Sequence, residues 1–421
     1  MLSYDIVVVG GGPAGLAAAI EAKKNGVDSI LVIERDRELG GILQQCIHNG
    51  FGIQVFKEEL TGPEYAERFI VELEEMGIDY KLDTMALDIS EDKVVTAINT
   101  VDGILSIQTK AVVLAMGCRE RARGALNLAG TRAVGVYNAG LAQRLINMEG
   151  YMVGKKVIIL GSGDIGLIMA RRLVLEGAEV IGVLARGSYA AGLGRNVVQC
   201  LEDFNIPLML NHNIVKINGK DRVESVVVVK TDENKRTIPG TEEIYECDTV
   251  LLSVGLIPEN ELSNKLGVRI DRGTSGPVVN EAMETEVEGV FACGNVLHVH
   301  DVVDYVTQES RRAGISAAQY VKGELIREGE YIITKPGEGI GYIVPQKIKV
   351  EKLDKPIEFF TRVRDVYMDS KIVVRLDGEI IRELKRKYMI PSEMERLMID
   401  PKLLKGKNGK VLTVEIVRGV E

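Results

Sequence analysis

Two stretches of the chain share one order of apolar and polar positions. Residues 4–36 begin with the apolar run IVVV, pass through a glycine-rich turn into an alanine-rich segment, and end with the apolar run ILVI. Residues 155–187 repeat that order with VIIL, a second glycine-rich turn and VIGVL. A continuous apolar run bounded by glycine is typical of a strand buried on both faces, and a longer periodic segment indicates a helix. Each stretch therefore predicts a strand–turn–helix–strand unit.

Both turns carry the same glycine spacing. The first reads G-x-G-x-x-G through Gly10, Gly12 and Gly15, and the second repeats this spacing from Gly161 to Gly166. In this spacing the glycines let the backbone turn tightly and approach a pyrophosphate at the helix N-terminus. A single motif of this kind is also found in simple strand-to-helix corners. Two copies in the same context predict two dinucleotide-binding units.

The two units differ directly after their second strand. Glu34 stands there in the first unit, whereas Ala185 occupies the matching position of the second unit and is followed by Arg186. A carboxylate accepts hydrogen bonds from a free ribose 2′-hydroxyl, whereas an arginine attracts a 2′-phosphate. The second unit therefore favours NADP(H). The alternative is that Arg186 is a solvated charge or stacks on adenine in either cofactor.

Length, charge and cysteine content narrow the function classes. A chain of 421 residues exceeds the usual size of a single hydrophobic core, so we expect two or three domains. With a net charge of −9, the chain lacks the excess of positive charge that binding to the phosphates of nucleic acid requires. No apolar stretch approaches about 18 residues without a charge, so we expect no direct membrane insertion. Five widely spaced cysteines, none in a C-x-x-C pair, favour the reducing cytoplasm.

From about residue 330 the pattern changes to short alternating runs. GIGYIVPQKIKV, PIEFFTRVRDVY, SKIVVRLDGEIIREL and KVLTVEIVRGV alternate as strands do, RLDGEI predicts a hairpin turn, and PSEMERLMID predicts a short helix. We expect a small β-rich domain over residues 330–421. Its basic run IIRELKRKY predicts a solvated face, and the alternative is a docking surface for a partner subunit.

Four further motifs follow the first glycine turn in order: RDRELGGIL, KAVVLAMGCRER, CDTVLLSVGLIPEN and TEVEGVFACGN. Together with the turns, they resemble the flavoproteins with two dinucleotide-binding domains, which include thioredoxin reductase and glutathione reductase. The resemblance implies an α/β fold of two Rossmann-like domains, the second inserted in the first. It implies an FAD-binding domain over residues 1–118 and 250–325 and an NAD(P)-binding domain over residues 119–249.

The same resemblance implies which residues contact the two cofactors. The expected FAD contacts are Gly10, Gly12, Pro13, Ala14, Gly15, Glu34, Arg35, Gly41, Ile42, Leu43, Met85, Ala115, Met116, Gly117, Gly294, Asn295 and Val303. The expected NAD(P)H contacts are Gly161, Ser162, Gly163, Asp164, Ile165, Gly166, Arg186 and Gly255. With both cofactors aligned, hydride passes between nicotinamide and flavin.

GGILQQCIHNGFG and GVFACGNVLHVHDVVDYV are similar to a narrower group within that superfamily. It comprises FAD subunits related to hydrogen cyanide synthase, opine oxidase and dye-linked proline dehydrogenase, especially those encoded beside an anaerobic glycerol-3-phosphate dehydrogenase-like flavoprotein. The resemblance implies electron relay to or from a second flavoprotein subunit of that type, in glycerol 3-phosphate oxidation. No cysteine follows Cys293, so an iron–sulfur relay would require a separate iron–sulfur subunit.

Two candidate catalytic residues lie in GGILQQCIHNGFG. Cys46 has no second cysteine nearby to resolve a disulfide, so we expect an FAD-dependent enzyme that is not a disulfide reductase. Its thiol is a candidate for a charge-transfer contact or a sulfenic acid, and a small buried residue is the alternative. His48 is a candidate general acid or base near flavin N5, with a hydrogen-bonded structural histidine as the alternative.

The stretch VFACGNVLHVHD offers metal-ligand residue types at its two histidines. The sequence shows no third ligand cluster nearby, so we expect no metal. Asn295 replaces the usual aspartate of this motif and is expected to keep an acceptor for a ribityl hydroxyl. We expect His298, His300 and Asp301 to orient the flavin or to face a partner's docking surface.

The helix predicted after this stretch begins with the acids Asp304 and Glu309 and continues with Arg311 and Arg312. Acids early and bases later suit the helix dipole, so we interpret these residues as ordinary helix charges. The resemblance implies that this helix starts near the pyrimidine end of the flavin. Backbone amides there stabilise negative charge on a reduced ring.

Two other functions remain open at this point. One is a flavin dehydrogenase that acts directly on an amine or a 2-hydroxy acid, and the other is a non-catalytic scaffold subunit with structurally bound nucleotides. The absence of a redox cysteine pair favours the scaffold. Reduction of the flavin by NADH or NADPH separates both from the leading hypothesis.

Overall fold

The computed structural model describes residues 1–326, 328–351 and 353–419, so residues 352, 420 and 421 of the predicted C-terminal domain lie outside the described part. The chain forms two compact units. The first unit comprises residues 1–44, 49–118 and 258 onward. The second unit comprises residues 45–48 and 119–257.

The described residues form helices and strands throughout the chain. The α-helices are α1 (Pro13–Lys24), α2 (Gly62–Glu75), α3 (Ala139–Asn147), α4 (Asp164–Leu175), α5 (Gly194–Cys200), α6 (Glu261–Lys265) and α7 (Val303–Val321). The first strands are β1 (Leu2–Val9), β2 (Ile30–Ile33), β3 (Asn49–Phe51), β4 (Leu60–Thr61), β5 (Asp79–Lys81), β6 (Met85–Ile89), β7 (Val94–Asn99) and β8 (Gly103–Leu114). None of these helices is long and apolar enough to span a membrane.

The remaining strands belong to the second unit and to the last part of the chain. The strands between residues 118 and 258 are β9 (Cys118–Glu120), β10 (Ala129–Gly130), β11 (Val136–Asn138), β12 (Lys156–Leu160), β13 (Glu179–Ala185), β14 (Leu208–Leu210), β15 (His212–Gly219), β16 (Val223–Lys230), β17 (Glu243–Glu246), β18 (Thr249–Leu252) and β19 (Leu256–Pro258). The strands after residue 258 are β20 (Val290–Ala292), β21 (Ile332–Pro336), β22 (Ile340–Val344), β23 (Lys347–Ile348), β24 (Ile357–Val363), β25 (Tyr367–Leu376), β26 (Glu379–Met389), β27 (Glu395–Ile399) and β28 (Val411–Val417).

A seven-stranded sheet forms the centre of the first unit, in the order β5-β2-β1-β8-β7-β6 with β20 also paired to β8. The pairs among β5, β2, β1, β8 and β20 are parallel, and β6 and β7 add an antiparallel edge. Ile6 to Val8 are fully buried, as the continuous apolar run predicts. Helices α1 and α7 pack closely at Gly314, where a Cβ atom would lie only 2.2 Å from the Ala18 carbonyl oxygen.

The second unit contains its own parallel sheet of five strands, in the order β11-β18-β12-β13-β14. Helix α4 follows β12 through the second glycine turn and leads to β13, as the repeated pattern predicts. A second, largely antiparallel sheet in the order β10-β15-β16-β17 belongs to the same unit. The fold class predicted from the sequence, with two Rossmann-like domains, is confirmed.

The last part of the chain forms the expected β-rich domain, with sheets in the orders β23-β21-β28-β25-β26 and β22-β24-β27. It has a core of its own that includes Phe359 and Leu397. The predicted hairpin is present, because Asp377 and Gly378 join β25 to β26 with positive φ at both residues. The prediction of a short helix at PSEMERLMID is wrong, since β27 occupies that segment and pairs antiparallel with β24.

Candidate functional site

The first glycine turn joins β1 to α1, and its first and third glycines are required by the protein itself. Gly10 has φ +108°, and a side chain there would lie 2.4 Å from the Ala115 carbonyl oxygen. A side chain at Gly15 would lie 1.8 Å from the Gly10 carbonyl oxygen. Both glycines therefore permit close backbone packing between the turn, the helix and the end of β8.

The second glycine of this turn has a different explanation. Gly12 adopts an extended backbone with φ −77° and ψ −174°, which any residue tolerates. A Cβ atom there would meet only the Gly41 Cα atom, at 3.9 Å. Neither the backbone nor the protein packing thus requires glycine at this position. A bound pyrophosphate that approaches the uncapped start of α1 accounts for it, so the turn fits the FAD pyrophosphate.

Glu34 holds the first turn from the end of β2. One carboxylate oxygen accepts a hydrogen bond from the Gly11 N–H at 2.7 Å, and the other accepts one from the Asp36 N–H at 2.8 Å. The side chain is buried, at 7% exposure. Each oxygen retains a lone pair, so the expected acceptance of a ribose hydroxyl remains compatible with these contacts.

The other residues expected to contact FAD lie at several strand and helix ends. Ala115, Met116 and Gly117 directly follow β8, Gly294 begins the short 3-10 turn after β20, and Val303 begins α7. A side chain at Gly294 would lie 2.7 Å from the Ala14 Cβ atom, so the two motifs are in contact. The remaining positions are Pro13 at the start of α1, Leu43, which is buried, and Arg35, Ile42 and Met85, which are exposed.

The second glycine turn joins β12 to α4 and is supported by Ser253, which follows β18. A side chain at Gly161, where φ is +103°, would lie 1.9 Å from the Ser253 carbonyl oxygen. The Gly166 N–H donates to the Ser253 hydroxyl at 3.1 Å. Gly163 has φ −70°, and its nearest neighbour for an added Cβ is the same hydroxyl at 3.3 Å. This turn also fits a dinucleotide.

The side chains beside the second turn hold a neighbouring loop. Asp164 accepts hydrogen bonds from the Leu193 N–H at 2.8 Å and from the Asn196 amide at 2.6 Å. The Ser162 hydroxyl likewise accepts from the Ala191 N–H at 3.0 Å. The Arg186 side chain is exposed beyond β13. The other expected contacts are Ile165 in the first turn of α4 and Gly255, where φ is +101°.

The segment with both candidate catalytic residues groups with the second unit. The Gln45 amide ties it to α3 by donating to the Gly140 carbonyl at 2.8 Å. Burial raises the pKa of the Cys46 thiol to about 12, so the resting residue is a thiol. Burial and the neighbouring Arg195 hold the pKa of His48 below its ordinary value. Neutral His48 accepts a proton only weakly, and its role at flavin N5 stays a prediction.

The two histidines of VFACGNVLHVHD converge on Glu309 of α7. The His298 Nε2 atom lies 2.7 Å from one carboxylate oxygen, and the His300 Nε2 atom lies 3.3 Å from the other. The Gly294 N–H donates to the same carboxylate at 2.7 Å. Glu309 is fully buried, so its interpretation as an ordinary helix charge is wrong.

The charges of this cluster follow from its burial and its contacts. Burial and the neighbouring His300 lower the pKa of His298 to about 4, so its ring is neutral at pH 7. Burial opposes ionisation of Glu309, but the two histidines outweigh it and hold the pKa of this carboxyl below its usual range. The cluster therefore contains a carboxylate that receives hydrogen bonds and at least one neutral imidazole.

The C-terminal domain covers this cluster. The Phe360 ring centroid lies 5.3 Å from those of both His298 and His300. Arg362 forms an ion pair with Asp301. Burial raises the pKa of the Asp301 carboxyl, and Arg362 opposes that effect. The two histidine side chains are thus buried within the first unit, and their expected role toward the flavin or a partner stays a prediction.

Asn295 uses both ends of its amide within the protein. Its oxygen accepts a hydrogen bond from the His300 N–H at 3.0 Å, and its nitrogen donates to the Cys118 thiol at 3.5 Å. One lone pair of the oxygen is left for the expected ribityl hydroxyl. Asn295, at the end of the motif TEVEGVFACGN, therefore also contacts the histidine stretch that follows it.

Sequence reasoning missed the roles of three residues: Glu309, Ser253 and Asp304. Asp304 is buried and accepts hydrogen bonds from backbone N–H groups of the segment 52–55. Glu309 carries a detectable signal, because it shares a helical face with the buried Val306 and Ala313. An acid on the apolar face of a helix requires a buried partner.

Comparison with known proteins finds sequence similarity to several oxidoreductases. An NAD(P)H sulfur oxidoreductase (CoA-dependent) from Pyrococcus abyssi is 28% identical over 83% of this chain and 71% of its own length. A subunit of opine oxidase from Agrobacterium tumefaciens is 26% identical over 69% of this chain and 61% of its own length. The chain thus spans about two thirds of the length of the curated relatives it matches.

A solved structure shows the same fold. Thioredoxin reductase from T. acidophilum aligns with a TM-score of 0.62 at 23% identity, over 76% of this chain and 99% of its own. The expectation that this chain is not a disulfide reductase is contradicted, since its relatives include thioredoxin reductases and coenzyme A persulfide reductases. The lack of a second cysteine near Cys46 was an insufficient reason to exclude sulfur chemistry.

The family assignment rests on most of the chain. Residues 4–320 match the sequence profile of the pyridine nucleotide-disulphide oxidoreductases, and this range contains both glycine turns, Cys46 and the histidine cluster. Members of this family bind FAD and use NAD(P)H, which agrees with the space beside Gly12 and with the second turn. The chain belongs to the pyridine nucleotide-disulphide oxidoreductase family.

Proposed function

We propose that the chain exchanges hydride between NAD(P)H and bound FAD and relays electrons to or from a partner redox protein. The observation that carries the proposal is the pair of glycine turns, of which the first has an unfilled space beside Gly12. When bound, FAD supplies a ring that exchanges hydride with nicotinamide. Two dinucleotide sites in one chain suit that exchange.

The protein's own residues position the cofactors in this proposal. The first turn offers backbone N–H groups to the FAD pyrophosphate, and Glu34 fixes the turn while it accepts a ribose hydroxyl. The second turn does the same for NAD(P)H, and Asp164 fixes the loop that borders it. Exposed Arg186 is available to a 2′-phosphate, so we propose a preference for NADPH.

The partner that we propose is a second flavoprotein subunit of glycerol-3-phosphate dehydrogenase type, with glycerol 3-phosphate oxidation as the reaction. An iron–sulfur relay in such a complex would belong to a further subunit, and the complex would be cytoplasmic. The resemblance of the motifs to such subunits supports this choice, as does the similarity to a protein named as one subunit of opine oxidase.

Anaerobic titration tests the hydride exchange. The chain, purified with its flavin, is titrated with NADPH and separately with NADH while the flavin absorbance is recorded. We expect one equivalent of NADPH to bleach the flavin. If neither nucleotide bleaches it, the proposal fails.

A second measurement tests the partner. A glycerol-3-phosphate dehydrogenase-type flavoprotein is mixed with the chain, glycerol 3-phosphate and oxidised NAD(P). We expect reduction of the nucleotide only when both proteins are present. A normal titration with no reduction in the mixture would leave the hydride exchange standing and contradict the choice of partner.

A second candidate function is reduction of a sulfur–sulfur bond at Cys46. It is favoured by the similarity to the sulfur oxidoreductase over most of this chain and by the single thiol that follows the Gly41–Gln45 turn. Two electrons from NAD(P)H and two protons would convert a persulfide into a thiol and hydrogen sulfide. NAD(P)H oxidation with coenzyme A persulfide should then require Cys46. A C46S variant with unchanged activity, beside a C200S control, would rule this candidate out.

A further inference from the structure

Two imidazoles and a carboxylate meet in the first unit, at a place that the proposed hydride exchange does not use. One nitrogen or oxygen atom from each of His298, His300 and Glu309 lies within 4.8 Å of the other two. The two Nε2 atoms are 2.7 Å and 3.3 Å from carboxylate oxygens. Metal–ligand bonds of about 2.0–2.2 Å place neighbouring ligand atoms roughly 3–3.5 Å apart. The three side chains are therefore close to a metal-binding arrangement.

Burial distinguishes this group from a surface cluster. His298 is 1% exposed, His300 is 8% exposed and Glu309 is fully buried. The histidines lie in the loop before α7, whereas Glu309 comes from the second turn of the helix. Side chains from a loop and from a helix therefore converge in a buried, preformed cluster. The ring of Phe360, from the C-terminal domain, packs against both histidines.

Hydrogen bonding alone does not satisfy this cluster. The Nδ1 atoms of both histidines are buried and have no hydrogen-bond partner among the described residues. Leaving two buried ring nitrogens unsatisfied costs stability, and either ring nitrogen of a histidine can bind a metal ion. The Glu309 carboxylate also receives the Gly294 N–H at 2.7 Å, as metal-binding carboxylates commonly do from outside the coordination sphere.

We infer that His298, His300 and Glu309 bind one divalent transition-metal ion. Two imidazole nitrogens and one carboxylate oxygen suit Zn²⁺ and related first-row ions, with a further coordination position left for a small ligand. The expectation of no metal depended on the lack of a third ligand in the sequence, and Glu309 supplies that ligand. The ion would tie the histidine loop to α7 beneath the C-terminal domain.

Metal binding by the unmodified protein tests the inference directly. The full chain is treated with a chelator, dialysed, and incubated with Zn²⁺ or Co²⁺ before the bound metal is measured by mass spectrometry. We expect about one ion per chain. We also expect Co²⁺ to produce visible absorption bands of a low-symmetry nitrogen and oxygen site. Binding of less than about one tenth of an equivalent of either ion would overturn the inference.

Variants then test the ligands. H300Q and E309Q each remove a proposed ligand with little change in volume, and H212Q is the matched control, because His212 lies in β15 of the second unit. We expect at least a tenfold loss of Co²⁺ affinity in H300Q and E309Q, and none in H212Q. If H300Q and E309Q bind the ion as tightly as the unmodified chain, the inference is wrong. If either variant fails to fold, the measurement on the unmodified protein still decides.

Discussion

The two glycine turns share a backbone but differ in the side chains that support it. In both turns the first N–H bonds to the second strand of its unit, from Gly10 to Ile33 and from Gly161 to Leu184. In the first turn the Glu34 carboxylate then accepts the Gly11 N–H. Ala185 has no such group. The glycine spacing therefore determines the path of the chain, and the supporting polar group varies.

The support of the second turn comes from another strand end. The Ser253 hydroxyl, just after β18, accepts the Gly166 N–H. Ala185 at the end of β13 carries no carboxylate, so the second unit has no counterpart of the Glu34 side chain beside Arg186. A repeated fold motif thus specifies a dinucleotide but leaves the choice of dinucleotide to the residue after the second strand.

The largest expected effect comes from the third glycine of each turn. A G15A substitution places a Cβ atom 1.8 Å from the Gly10 carbonyl oxygen, whereas G166A leaves 2.7 Å to the Gly161 carbonyl oxygen. We expect G15A to lower the free energy of unfolding by about 3 kcal/mol or more, since backbone cannot move aside easily. We expect a smaller loss for G166A. Urea unfolding measures both, and equal losses would contradict the geometric difference.

The next effect comes from the charge that distinguishes the turns. E34Q keeps one acceptor but turns an amide NH₂ toward the Gly11 or Asp36 N–H, so one charge-assisted hydrogen bond is lost. Such a bond contributes about 1.5–3 kcal/mol. We expect FAD affinity to fall by roughly thirtyfold, the equivalent of about 2 kcal/mol. Fluorescence titration of the flavin-free protein measures this. E38Q, near the same loop but without these bonds, is the control, and equal affinities of the two variants would refute the role of Glu34.

A smaller effect separates ligand binding from folding. G12A adds a methyl group to a space whose nearest protein atom outside the adjoining residues lies 3.9 Å away, so the unfolding free energy of the flavin-free chain should fall by no more than about 1 kcal/mol, the usual cost of alanine at an N-cap. The methyl group would displace the pyrophosphate, and we expect FAD affinity to fall by about tenfold, or about 1.4 kcal/mol. The same titration and urea unfolding give both values. A normal FAD affinity would show that the space beside Gly12 is not the pyrophosphate site.

Local patterns predicted the features that depend on neighbours in sequence. The glycine turns, the buried strand before each and the Asp377–Gly378 hairpin all follow from short stretches. The segment with Leu397 and Ile399 was misjudged as a helix because its composition suits one, although these buried residues alternate with Met398 as in a strand. Pairing with β24, distant in sequence, decides that structure.

The candidate site was predictable to a similar extent. The glycines and Glu34 carry motif spacing, so sequence identified them. Glu309 and Ser253 reach their sites through tertiary packing, and no local spacing links either residue to its partners. Cys46 shows a further limit, because the absence of a neighbouring cysteine excluded a reaction class that its relatives carry out. An absence within one stretch does not exclude a chemistry that draws a second group from elsewhere.

The smallest expected effect tests Arg186, which follows the alanine that stands in the position of Glu34. Arg186 is exposed, so its attraction for a 2′-phosphate is screened by solvent and contributes only about fivefold to affinity. We expect R186E to raise the KM for NADPH by about that factor and to leave the KM for NADH nearly unchanged, since a carboxylate repels the 2′-phosphate but accepts a 2′-hydroxyl. Steady-state reduction of an artificial acceptor measures both constants. R236E, in an exposed turn of the same unit, controls for a general change of charge. Equal changes with both nucleotides in R186E would mean that Arg186 stacks on adenine, and that the two turns differ in support without differing in selectivity.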